Sequence, residues 1–175
     1  MIELLAWLKK LFSPRVPAKV IPIRPLETVI PIDLKKPSSA PWMDFLGLHI
    51  GEHEISGDKA NPFIVSLFKH TSYKTDSDET PWCAATICAA LEACGFESTK
   101  SAAAISYKNY GVSCERKYGA ILVIEHPSGK HHVTCFHHVG PGSIIYCLGG
   151  NQSDQIKISA YDLSKEKVIA CRWPL

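Results

Sequence analysis

The sequence lacks a charge excess of either sign: 19 Lys and Arg stand against 17 Asp and Glu, a formal net charge of +2 over 175 residues, and only 21% of positions are charged. That balance excludes the strongly basic surface of a nucleic-acid binder and the charge-rich composition of a disordered chain, while a mildly basic surface suits an anionic polymer. An even, regularly spaced set of cysteines is also missing. The seven cysteines fall in helix-like and strand-like apolar segments, which excludes a disulfide framework and fits a reducing site of synthesis with most sulfurs buried as small hydrophobes. No secretory leader is expected either. Met1 to Phe12 is apolar but too short to span a bilayer, its basic pair Lys9 and Lys10 follows the apolar stretch, and no small-residue cleavage signal comes after it. Synthesis in the cytoplasm without a cleavable signal peptide is the expectation.

What is present suffices for one ordinary core, since 46% of the 175 residues are hydrophobic, and the length makes one domain with a tail the default. Residues 1–12 carry Leu4, Leu5, Leu8, Leu11 and Phe12 at helical spacing. Two readings stand: a helix docked on its own domain or lost in the tail, and an amphipathic surface helix with weak membrane association. Residues 13–41 are punctuated by Pro14, Pro17, Pro22, Pro25, Pro31, Pro37 and Pro41, which removes backbone donors and prevents a long regular element. This proline-rich arm or linker precedes a domain expected over 42–175.

Within that domain Trp42, Phe45 and Leu46 suit one face of a short helix, and Asn61-Pro62 can start a second. The clearest segment follows: Thr80 as cap, Pro81 in the first turn, Gly95 as stop, and between them Ala84, Ala85, Ile87, Ala89 and Ala90, a helix with almost no polar face. A short helix is expected over Ser101 to Tyr110. Beyond Gly119 the period changes. Ala120 to Glu125, His131 to His138, Ser143 to Leu148, Gln155 to Ser159 and Lys167 to Arg172 read as strands at hairpin-sized spacing. Helices first and an antiparallel sheet of about five strands second is an α+β pattern.

Cys83 falls near the start of the alanine-rich helix, where free N–H groups and the positive end of the dipole favour a thiolate and so a nucleophile. Its partner would be an imidazole, and His126, His131, His132, His137 and His138 crowd one region. His132 enters a strand directly after a turn and is the best candidate. By alternation His132, Thr134 and Phe136 share one face and His131, Val133 and Cys135 the other; which face meets the helix is open at this point. Asn151, after Leu148-Gly149-Gly150, can orient the imidazole or serve only its turn, and Gln152 is its neighbour. Asp78 and Glu79 read as substrate contacts or as first-turn helix acids, and Trp82 as a groove wall or an anchor to the core. Cys135, His137 and His138 lack a convincing metal-ligand spacing, because adjacent strand residues point apart. No cofactor is expected.

Asp78-Glu79-Thr80-Pro81-Trp82-Cys83-Ala84-Ala85, then His132-Val133, then Leu148-Gly149-Gly150-Asn151-Gln152-Ser153-Asp154, with Arg172-Trp173-Pro174 at the end, resembles the cell-wall hydrolases of the NlpC/P60 superfamily, close to the CHAP amidases and phage endolysin-like proteins. The likeness covers roughly Trp42 to Pro174. It implies a papain-like core with Cys83 as nucleophile, His132 as base and Asn151 as orienting residue; Asp78, Glu79, Trp82 and Gln152 are the candidate substrate contacts beside them. It further implies hydrolysis of amide bonds in bacterial peptidoglycan, within the stem peptide or between sugar and peptide, in the periplasm or at the wall after delivery or lysis. The proline-rich arm would suit delivery by a larger phage or secretion assembly. Gly119-Ala120 replaces the usual Gly-Asp pair, and His131 replaces the usual glycine before the histidine. The competing expectation is a noncatalytic wall-binding or assembly module that keeps the fold.

Overall fold

Ala40 is fully buried and Pro41 opens the first helix among the described residues, α1 (Pro41–Leu48), whose Trp42, Met43 and Leu46 turn into the core. The computed structural model describes residues 39–57 and 59–175; the expectations for residues 1–12 and for the arm up to residue 38 lie outside the described residues. The Trp42 indole donates to the Gly119 carbonyl at 2.8 Å, tying α1 to the head of the first long strand. Gly119 has a φ of +84°, and a Cβ there would stand 2.3 Å from the Ala40 Cβ, so that junction admits only glycine.

The second helix, α2 (Pro62–Leu67), begins as its sequence indicates. The Asn61 side chain accepts the Phe63 N–H at 2.9 Å with Pro62 in the first turn, and a 3₁₀ turn over Phe68–His70 continues it. The central helix, α3 (Cys83–Ala93), is buried from Cys83 through Leu91, as its alanine-rich composition requires. Its start differs from the expected one. Trp82 is the N-cap without a side-chain cap bond, and Cys83 is the first helical residue. Thr80, the expected cap, instead places its hydroxyl 3.3 Å from that of Thr75. The segment Ser101 to Tyr110 forms a 3₁₀ helix at Ala104–Asn109.

The strands are β1 (Val112–Ser113), β2 (Ile121–Glu125), β3 (His131–Val139), β4 (Ile144–Gly149), β5 (Lys157–Asp162) and β6 (Lys167–Trp173), in one sheet of order β1-β6-β2-β3-β4-β5. Every neighbouring pair is antiparallel, so the fold is α+β with a six-stranded sheet where about five strands were expected. β1 is two residues long, too short to show alternation in the sequence. β5 starts later than expected because Gln155 and Ile156 pair elsewhere: Gln155 bridges His53, and the Ile156 amide donates to Glu52 at 2.8 Å.

The sheet buries both faces. Ile121, Val123, Val133, Cys135 and Leu148 join α1, α2 and α3 in the larger core, while Leu122, Ile124, Phe136, Ile145, Cys147 and Tyr161 cluster on the opposite face. Among the described residues, no helix is long and apolar enough to cross a membrane.

Candidate active site

The placement of Cys83 follows from the register of β3. The Phe136 amide donates to Ala120 at 2.8 Å and the His126 amide to Lys130 at 2.9 Å, which makes the even-numbered residues of β3 the ones that bond to β2. The Val133 N–H therefore points to the other edge of the strand. β4 pairs with β3 only from Cys135↔Leu148 onward, so that edge is open at Val133. Cys83 lies at that edge, where the Val133 amide acts to lower its thiol pKa.

This position changes the chemistry expected of the thiol. Burial pushes the Cys83 thiol above its ordinary value, and the amides of Val133, Ala84 and Cys83 itself oppose that rise without cancelling it. The side chain is only 6% exposed. Desolvation outweighs the helix start, so the resting group is a neutral thiol where the sequence pointed to a thiolate.

The open question of strand face is also answered. His132 pairs with Ile124, a member of the cluster facing away from α3, and its ring stacks on Tyr161 at 5.9 Å. Val133 and Cys135 face α3. His132 thus projects from the far face of β3, one residue before Val133. Burial first, then the charge of His126, lowers the His132 pKa from 6.5 to about 4 against the opposing effect of the Gln152 side chain. Its Nε2 is buried without a hydrogen-bond partner. A neutral imidazole with an unbound ring nitrogen is a base whose lone pair, or donor whose proton, is uncommitted. In this arrangement no side-chain hydrogen bond joins it to Cys83.

The loop after β4 passes between β3 and the first turn of α3. A Cβ on Gly149 would meet the Thr134 hydroxyl at 2.6 Å, and one on Gly150 would meet the Thr86 hydroxyl at 2.1 Å and the Trp82 ring at 2.5 Å. The turn then places Asn151, Ser153 and Asp154 at φ of 54°, 51° and 61°, a left-handed run that non-glycine residues rarely adopt. Inside it Gln152 is buried. Its Oε1 accepts from the Thr134 hydroxyl at 3.0 Å and the Tyr161 hydroxyl at 2.8 Å. Its Nε2 donates to the carbonyls of Cys147 and Lys157. Gln152 is therefore the fixed carboxamide beside His132, while Asn151 makes no side-chain hydrogen bond.

The other candidates divide. Asp78 is buried, with one carboxylate oxygen taking the amides of Ile55 at 2.9 Å and Asn61 at 2.7 Å. Burial raises its pKa, but those amides outweigh burial and hold it below the usual range; the carboxylate is spent on pinning the loop ahead of α2. Glu79 is exposed. Trp82 is fully buried and its indole donates to Glu54 at 2.7 Å, which anchors the start of α3. His137 and His138 do not point apart as expected: at the irregularity in the β3–β4 register their Nδ1 atoms come to 2.8 Å, but Cys135 is buried toward α3, so the three do not converge.

A cavity of about 550 Å³ opens beside His132, with His126, Asn151, Gln152, Tyr161 and Glu166 on its wall and Cys83 outside it. His126 Nδ1 lies 2.7 Å from Glu166 Oε1. Glu166 and Tyr161 escaped the sequence reading, because Glu166 falls in a polar stretch between strands and nothing in one dimension relates it to His126, 40 positions away.

No protein-family model matches the chain, and neither a curated protein nor a solved structure does.

Proposed function

We propose that the chain is a cysteine hydrolase with a papain-like core of the NlpC/P60 kind, cleaving amide bonds of bacterial peptidoglycan as an endopeptidase or an N-acetylmuramoyl-L-alanine amidase. The observation that carries this reading is the place of Cys83 as the first residue of α3, where the amides of Val133, Ala84 and Cys83 itself act on its thiol. The uncommitted Nε2 of His132 supports it.

From two neutral groups the reaction runs by general base catalysis. The His132 ring first turns from the far face of β3 toward Cys83; it then takes the thiol proton as Cys83 attacks the carbonyl carbon, and the amides of Cys83 and Ala84 at the start of α3 are donors for the developing oxyanion. Protonated His132 passes the proton to the departing amine. Water, deprotonated by the same imidazole, then releases the acyl group and restores the thiol. Gln152 holds the surroundings of the imidazole through Thr134 and Tyr161, and the cavity beside His132 receives one side of the substrate.

One observation favours a second reading. Cys83 is buried, protonated and absent from the cavity wall, as a noncatalytic wall-binding or assembly module that keeps the fold would have it. Mass analysis of fragments released from defined peptidoglycan separates the two. New amino ends, within the stem peptide or on its first residue, support hydrolysis; bound but uncut wall of several types supports the module.

A further inference from the structure

Away from the candidate site, the sulfurs of Cys114 and Cys171 lie 3.6 Å apart. Cys114 directly follows β1, and its amide donates to the Cys171 carbonyl at 3.1 Å. This extends by one step the pairing of Val112 with Trp173 and of Ser113 with Arg172. Residues directly opposite on antiparallel strands have backbones roughly 4.5–5.5 Å apart and side chains on the same face, within the span of roughly 4.4–6.8 Å that a disulfide bridges. Both cysteines are free and partly exposed, and with Glu115, Arg116 and Val168 they line a solvent-open cavity. No other two sulfurs among the described residues are in hydrogen-bonding contact, and Cys83, Cys88, Cys135 and Cys147 are buried.

We propose that Cys114 and Cys171 form a modification site, a cross-strand thiol pair that small-molecule disulfides oxidise to an intramolecular disulfide. One thiolate attacks the small disulfide, forming a mixed disulfide and releasing one thiol. The second protein thiolate then attacks the protein sulfur of that mixed disulfide and releases the other small thiol. The protein loses two electrons and two protons, and the oxidant is reduced to two thiols. Burial and the Cys114 sulfur hold the Cys171 thiol up to about 12 against the pull of Arg116 and Arg172, so closure speeds up as pH rises. The bond ties the short edge strand β1 to β6 and closes a span of 57 residues that contains β2, β3, β4 and β5. A chain made reduced would acquire this link on meeting an oxidising compartment.

The test is incubation of the full chain with glutathione disulfide, followed by peptide mapping without reductant, a free-thiol count and thermal unfolding. The expected result is the loss of two thiols, one Cys114–Cys171 cross-linked peptide, and a Tm higher by about 5–10 °C. Cys114→Ser, which leaves Cys171 packed as it is, should show neither the link nor the rise. Retention of all thiols, a stable mixed disulfide on either residue, a link through other cysteines, or the same rise in Cys114→Ser would each overturn the proposal.

Discussion

Cys83 and Val133 meet where β4 leaves the edge of β3 unpaired, and the Val133 amide lowers the Cys83 thiol pKa against the effect of burial. From this placement follow the burial of the thiol, the adjacency of His132 in the chain, and the need for glycines where the strand-end loop squeezes past.

Thiol reactivity should reflect that burial. Because burial raises the Cys83 thiol above its ordinary value, alkylation of Cys83 by iodoacetamide should be slow at neutral pH and keep climbing beyond pH 9. The rate followed by peptide mass analysis reads this directly; a plateau between pH 5 and 7 would mean a stabilised thiolate and contradict it.

His132 should impose a pH dependence on stability. Its folded pKa of about 4 lies below the ordinary value of 6.5, so between these values the unfolded chain binds more protons. Stability is then fully retained above pH 6.5, falls by about 3 kcal/mol as pH drops toward 4, and levels off below. Comparing urea unfolding of the native chain and His132→Gln across that window should show the fall only in the native chain. Parallel curves would show that His132 is not buried in its neutral form.

Gln152 should matter more than Asn151. Gln152→Leu leaves the hydroxyls of Thr134 and Tyr161 without their acceptor and should cost about 2–4 kcal/mol, with a loss in kcat larger than in affinity for the wall. Asn151→Ala breaks no side-chain hydrogen bond and should stay within about 1 kcal/mol. Chemical denaturation and a rate assay on both variants can reverse this ranking.

Gly150→Ala should disturb Cys83, the proposed nucleophile, without touching it. The new methyl would press on the Thr86 hydroxyl and the Trp82 ring, forcing α3 away from the loop at a cost of about 1–3 kcal/mol. Hydrolysis should fall well beyond what the stability loss explains. Normal activity in this variant would mean that the loop does not set the position of Cys83.

Much of the fold was written in periodicity and punctuation. The alanine run from Ala84 to Ala90, the Asn61-Pro62 start and the turn signals between β2 and β6 each specify local structure by chemistry confined to a few neighbouring residues. What escaped was non-local. The start of α3 moved because Thr80 met Thr75 and Trp82 met Glu54, and β5 started late because Ile156 met Glu52. In the candidate site, the residue types at Cys83 and His132 were legible, yet the protonation state of each was not. Burial sets both, and burial depends on Tyr161, Gln152 and the gap beside β3, which lie far apart in the chain.

In the proposed reaction the sulfur of Cys83 attacks the amide. Cys83→Ala, confirmed folded by circular dichroism and thermal unfolding, should release no fragments from a peptidoglycan that the native chain digests. Digestion of that wall at the native rate by Cys83→Ala would contradict the account.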